Sequence, residues 1–142
     1  MRDLHNNINI IRAVSPVAIG TTGTGKTSGA IDLQGYDAAE VEISYGTVTA
    51  TNAVFTALIT ECDTATGTFT SVADADLLGT EADAGLAAAA TRTSGTTKNV
   101  SKRVGYIGTK RYIKAKVSST VTAGTPIGVN VIRGRPHRRP TT

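Results

Sequence analysis

The most explicit chemical pattern in the chain is Gly20-Thr-Thr-Gly-Thr-Gly25-Lys26-Thr27, which matches G-x-x-x-x-G-K-[ST] letter for letter. In a phosphate-binding loop the glycines let backbone N–H groups wrap the phosphates. The lysine reaches the β/γ-phosphates and the Thr hydroxyl meets Mg²⁺. That chemistry needs a buried strand before the loop and a helix straight after it, whose dipole holds the anion. Here Val17–Ile19 is a stub behind Pro16, and Gly29 and Gly35 bracket a strand-like middle. Long helices between parallel strands are also missing from the pattern. In a chain with 24 Thr and 15 Gly, a chance match at Gly20, Gly25, Lys26 and Thr27 is the expectation, and a P-loop NTPase is the remote reading.

Other reactive residues are sparse. Glu40 and Glu42 share one strand face, and Asp74 and Asp76 lie near a turn. Such pairs can serve acid–base chemistry or calcium, but a solvated surface is the simpler account, and no D-x-D-x-D-G loop occurs. Cys62 is the sole cysteine, which excludes an intrachain disulfide and a Cys-rich metal site. A nucleophilic Cys62 would need a histidine partner, and His5 and His137 lie near the chain ends. The expectation is a non-enzymatic protein without catalytic residues, cofactor or metal.

The charge is unevenly placed. Nine of the eleven carboxylates fall between Asp37 and Asp83. Every Lys and Arg except Arg2, Arg12 and Lys26 falls between residues 92 and 139, where no carboxylate occurs. Such asymmetry points to an anionic partner for one face, or to copies that meet head to tail. The end, Arg133-Gly-Arg135-Pro-His-Arg138-Arg139-Pro-Thr-Thr, has no apolar residue after Ile132. It reads as an extended basic arm whose guanidinium groups bind carboxylate or phosphate surfaces. Arg133, Arg135, Arg138 and Arg139, with Lys114 and Lys116 on one strand face, are the candidate assembly-interface residues.

The elements that must carry these residues are strands. Val41, Ile43 and Tyr45 alternate with Glu40, Glu42 and Ser44, and Ile113, Ala115 and Val117 with Tyr112, Lys114 and Lys116. This period of two marks half-buried antiparallel strands. Phe55, Ala57 and Ile59 form one face of another, and Ile127, Val129 and Val131 the inward face of the last. The Asp63–Gly67 stretch joins two β runs in a hairpin signal. Thr109-Lys110 reads as a tight turn between the strands on either side. Residues 74–90 hold the one helical candidate, of which Gly85–Ala90 is too short to stand alone. Turn signals every 8–15 residues predict an all-β fold. This is an antiparallel β-sandwich or jelly roll of seven or eight strands, with an N-terminal arm and first strand (1–14), a sandwich (15–132) and a C-terminal arm (133–142).

Composition limits the alternatives. The 142 residues suit one domain. Six Leu against 24 Thr oppose a helical bundle. No apolar run approaches the roughly 20 residues of a membrane helix, and 23 Val and Ile in periodic runs oppose disorder. The N-terminus lacks the apolar core of a secretion signal, which predicts a protein made and kept in a cytoplasm, or assembled there into something larger. A carbohydrate- or receptor-binding sandwich would expose an aromatic platform. Without Trp, and with Tyr36, Tyr45, Tyr106 and Tyr112 scattered along strands, that platform is hard to build.

Four motifs carry a resemblance. Ala30-Ile-Asp-Leu-Gln-Gly-Tyr36, the F-T-x-V-x-D-x-D-L-L-G run of Phe69–Gly79, the Y-I-G-x-K-R-Y-I run of Tyr106–Ile113 and the G-x-P-x-x-x-P end of Gly134–Pro140 are similar to those of small head-associated structural proteins of tailed bacteriophages. The Gly20–Thr27 loop is not part of that pattern. The resemblance implies a capsid-associated virion protein, most specifically a decoration (cement) protein on the outer surface of the major capsid shell. Its implied partners are the major capsid protein and further copies of itself, as a trimer, with no membrane and no specific nucleic acid. A head–tail connector, tail terminator or other neck or tail component is the alternative.

Overall fold

The computed structural model describes residues 3–19, 25–48, 50, 52–86, 99–121 and 124–138. Two antiparallel sheets stack face to face. The first has the order β1 (Ile8–Ile19), β10 (Thr125–Pro136), β4 (Tyr36–Tyr45), β8 (Val100–Tyr106), β7 (Leu77–Leu78). The second has β2 (Lys26–Thr27), β9 (Tyr112–Ser119), β5 (Phe55–Cys62), β6 (Thr70–Ser71), with β3 (Ile31–Asp32) also on β9. The antiparallel β-sandwich expected from the alternation is the fold. Among the described residues there are ten strands where seven or eight were predicted, because four of them are two-residue edge pieces too short to show a period.

The alternating residues supply the core. Val41, Ile43 and Tyr45 from β4 and Val129 and Val131 from β10 pack with Phe55 and Ile59 of β5 and Ile113 and Val117 of β9, all nearly inaccessible to water. The β5–β6 hairpin pairs Thr60 with Ser71 and Glu61 with Thr70, as the Asp/Gly loop signals. Pro16 does not end the first strand. β1 runs on to Ile19 through irregularities between Arg12 and Val14 and between Val14 and Val17. An edge strand tolerates proline because its outward N–H needs no partner.

Three expectations are corrected. Residues 106–112 are not a tight hairpin turn, because β8 and β9 belong to different sheets. The Tyr106 hydroxyl accepts from Lys110 N–H at 3.0 Å and donates to Glu61 Oε2 at 2.6 Å, fixing a corner between layers. A Cβ on Gly108 would lie 2.6 Å from the Tyr106 ring, so glycine is required there. The helical candidate resolves into a 3-10 turn at Asp74–Asp76, strand β7 and a four-residue helix α1 (Glu81–Ala84) capped reciprocally by Thr80 and Asp83. Leu86 bonds Phe55 through the backbone, and residues 87–98 lie outside the described residues. Both segment boundaries drawn from the sequence fall inside strands: the first strand, placed within 1–14, runs on to Ile19, and β10 continues past Ile132 to Pro136.

Candidate interaction surfaces

β10 explains why Arg133 is not an arm residue. Val129 and Val131 point inward, and position 133 shares their parity. Its guanidinium therefore turns toward the gap between the layers at the end of the sandwich. Nη1 donates to the Asp32 carbonyl at 2.7 Å, Nη2 donates to Asn9 Oδ1 at 2.7 Å, and the group lies 4.3 Å from the centre of the Tyr36 ring. One side chain thus joins β1, β4 and β10 of the first sheet to β3 of the second. Its Nε is buried without a partner among the described residues.

The remaining basic candidates do not converge. Arg135, in the left-handed region at φ 54°, and Arg138 are exposed beyond this clamp, and Arg139 lies outside the described residues. Lys114 and Lys116 stand half-buried on the outer face of the second sheet, 3.9 Å separating Lys114 Nζ from the centre of the Phe69 ring. Thr27, Thr56, Thr60, Ser71 and Ser118 share that face by register. The result is a face that carries two lysines among hydroxyls, with Leu58 and Tyr112 beside them, and whose strand carboxylate, Asp32, is neutralised by Arg111 through two bonds of 3.0 and 2.7 Å.

The same end of the sandwich holds an open cleft of about 400 Å³ lined by Tyr36, Asp37, Tyr106, Lys110, Arg111 and His137. Its charged groups are matched internally, Lys110 with Asp63 at 2.8 Å and Arg111 with Asp32, and the His137 ring is hydrogen-bonded to Asp37 at 2.7 Å. Of the tyrosines scattered in sequence, Tyr36 and Tyr106 line this cleft, Tyr112 stands on the outer face of the second sheet, and Tyr45 is buried and donates to the Ala84 carbonyl. They do not form an open aromatic platform. Tyr106 is buried, Tyr36 is covered by Arg133, and Tyr112 by Arg111 at 5.0 Å. Sequence reasoning missed Asn9, Asp32 and Tyr36 as the partners of Arg133, although the inward parity of position 133 was a legible signal.

Arg111 holds the Asp32 carboxyl below its ordinary 3.8, the hydrogen bond from the guanidinium outweighing partial burial. A carboxylate lowered on folding stabilises above its unfolded pKa and loses that contribution as pH falls through the folded value. The end of the sandwich is therefore expected to loosen selectively below about pH 4. Amide hydrogen exchange at Leu33 and Tyr112 checks this, and Asp32→Asn should abolish the pH step. Equal steps in both proteins would contradict it.

The other sequence-level sites dissolve into structure. Gly25 precedes β2, where Lys26 pairs with Val117 and Thr27 with Lys116, so a strand stands where a phosphate loop needs its helix. Gly20 lies outside the described residues. Glu40 meets Arg103 at 3.5 Å, and Glu42 accepts from Ser44 and Asn130. Cys62 is half-buried near the Thr64 hydroxyl. Among the described residues, no group of three or more His, Cys, Asp or Glu is placed to hold a metal, and no helix is long and apolar enough to cross a membrane.

No protein-family model and no curated protein matches the chain. Among solved structures, it is similar to the PBSX exported protein XepA, with a TM-score of 0.56 and 14% identity over 97% of this chain and 40% of that one. The chain thus spans less than half the length of that protein. The C-terminal CBM6 of LamC from Zobellia galactanivorans aligns with a TM-score of 0.48 and 12% identity over 89% of this chain and 99% of that one. The Clostridium thermocellum xylanase 10B CBM22-1-GH10 modules align with a TM-score of 0.48 and 12% identity over 94% and 27%. At these identities the likeness to XepA establishes a shared β-sandwich fold.

Proposed function

We propose that the chain is a structural protein of a tailed-bacteriophage virion, and more specifically a decoration protein that lies on the outer surface of the major capsid shell. The observation that carries this reading is the outer face of the second sheet. Lys114 and Lys116 stand there among Thr and Ser hydroxyls on a rigid layer, with Asp32 already neutralised by Arg111. A face that carries two lysines among hydroxyls suits a broad acidic protein surface better than it suits a small substrate. The head-protein motifs and the shared fold with an exported protein of the phage PBSX support the same class.

The test is occupancy on purified shells. Lys114→Glu combined with Lys116→Glu is expected to lower occupancy about ten-fold, and wild-type attachment should weaken as salt rises. Unchanged occupancy in the charge-reversed protein overturns the reading. Copy number in intact particles separates decoration from the neck or tail alternative, on the order of hundreds of copies against about six or twelve in a ring.

A further inference from the structure

The large apolar side chains left most exposed are not scattered. Leu4 and Ile10, 64% and 59% accessible, precede or belong to β1, and Leu78 and Ile107, 58% and 51%, belong to or adjoin β7. These strands are the two opposite edges of the first sheet. The register places Ile10 and Leu78 in a single cross-sheet row, Ile10–Ile132–Glu40–Gly105–Leu78, at its two ends and on one face. Isolated exposed apolar residues need no explanation, but a matched pair at both free edges does.

The charges at the two edges are opposite. Beside Leu78 the chain from residue 64 to residue 86 carries Asp74, Asp76, Glu81 and Asp83 and no Lys or Arg. Glu81 is bonded to Ile59 N–H and Asp83 to Thr80, which leaves Asp74 and Asp76 without an ion pair among the described residues. On the β1 side of the sandwich, Arg12 is exposed two residues along from Ile10 and Lys26 is exposed on β2, the neighbouring edge of the second sheet, and neither forms an ion pair among the described residues. The nearest carboxylate in the chain before β1, Asp3, is occupied by Asn6. Arg103, the cation nearest the β7 edge by register, faces Glu40.

We propose that copies of this chain join edge to edge, the basic β1 edge of one first sheet against the acidic β7 edge of the next. β1 and β7 run in the same direction across a sheet of alternating strands, so adding a second sheet edge to edge continues the row and brings Leu78 of one copy beside Ile10 of its neighbour. The contact is heterologous: each copy uses two different surfaces, and the assembly grows head to tail until it closes into a ring. The second half of β1, with Pro16 and its bulges, blocks pairing, so the contact is confined to the regular stretch near Ile10. This self-contact does not depend on what the assembled protein binds, and it leaves the Lys114–Lys116 face free.

Sedimentation velocity on the purified protein tests it in the absence of any shell. Wild type at about 0.1 mM in low salt should form a discrete oligomer that dissociates near 1 M salt. Arg12→Glu/Lys26→Glu gives two acidic edges and Asp74→Lys/Asp76→Lys gives two basic ones. Each is expected to associate at least ten-fold more weakly alone, and an equimolar mixture should assemble again. A monomeric wild type, a variant that assembles like wild type, or a mixture of folded variants that stays monomeric overturns the proposal. If circular dichroism shows either variant unfolded, Ile10→Ser and Leu78→Ser decide instead: lost assembly supports the contact and retained assembly overturns it. Because shell occupancy is measured separately, failure here leaves the capsid reading standing, and the reverse.

Discussion

Arg133→Ala is expected to destabilise the protein by about 2 kcal/mol, two bonds from a charged donor being lost from a half-buried setting. The Asp32 carbonyl and Asn9 Oδ1 lose their donor, and the Tyr36 ring loses its cation. The unpartnered Nε offsets part of the cost, since its removal relieves one buried unmet donor. Arg133→Lys should recover only part of the loss, because an ammonium cannot reach two acceptors in a fork and stack on the ring together. Thermal unfolding checks both, at roughly 2–4 °C per kcal/mol for a chain of this size. A change under about 1 °C for Arg133→Ala would show that the clamp contributes nothing.

The clamp also decides how the basic end can be tested. Removing everything from Arg133 onward deletes the pairings of Arg133 with Ala39, Gly134 with Ala38 and Pro136 with Tyr36, so lost shell binding could reflect a damaged sheet. Truncation after His137 keeps β10 whole and still removes Arg138 and Arg139.

Phe55→Ala should be more damaging, by about 3–5 kcal/mol, a large part of the roughly 5–15 kcal/mol that holds such a domain together. The ring is 1% accessible and meets Tyr45 edge to face at 5.5 Å. Phe55 also exchanges backbone bonds of 2.8 and 2.9 Å with Leu86, and a Cβ on Gly85 would fall 2.4 Å from its carbonyl. Backbone this close, with few aromatic side chains available to refill the space, cannot collapse around a cavity. The denaturation midpoint should therefore drop steeply. Phe55→Leu should cost much less, because most of the volume is kept. Equal losses for both substitutions would show that ring shape, not volume, is what the core requires.

Alternation along the chain was enough to say which apolar side chains face inward. A period of two follows from the pleat and needs no partner, so the apolar buried residues Val41, Ile43, Tyr45, Phe55, Ala57, Ile59, Ile113, Ala115, Val117, Ile127, Val129 and Val131 were legible, as was the hairpin at Asp63–Gly67, whereas buried Ala39, Ser119 and Thr125 carried no such signal. Which strand lies beside which had to come from the folded arrangement. Partner choice links residues far apart, as where Arg133 reaches Asn9, 124 positions away, and closing a loop depends only weakly on its length. The stretch from Tyr106 to Tyr112 therefore reads as a tight turn between neighbouring strands. The hydroxyl of Tyr106, bonding Glu61 and Lys110, makes it a corner. For the same reason the sequence counted Arg133 among the free basic groups of the chain end. Side-chain type fixes a charge, but whether that charge meets solvent or a distant carbonyl is settled by the fold that brings them together.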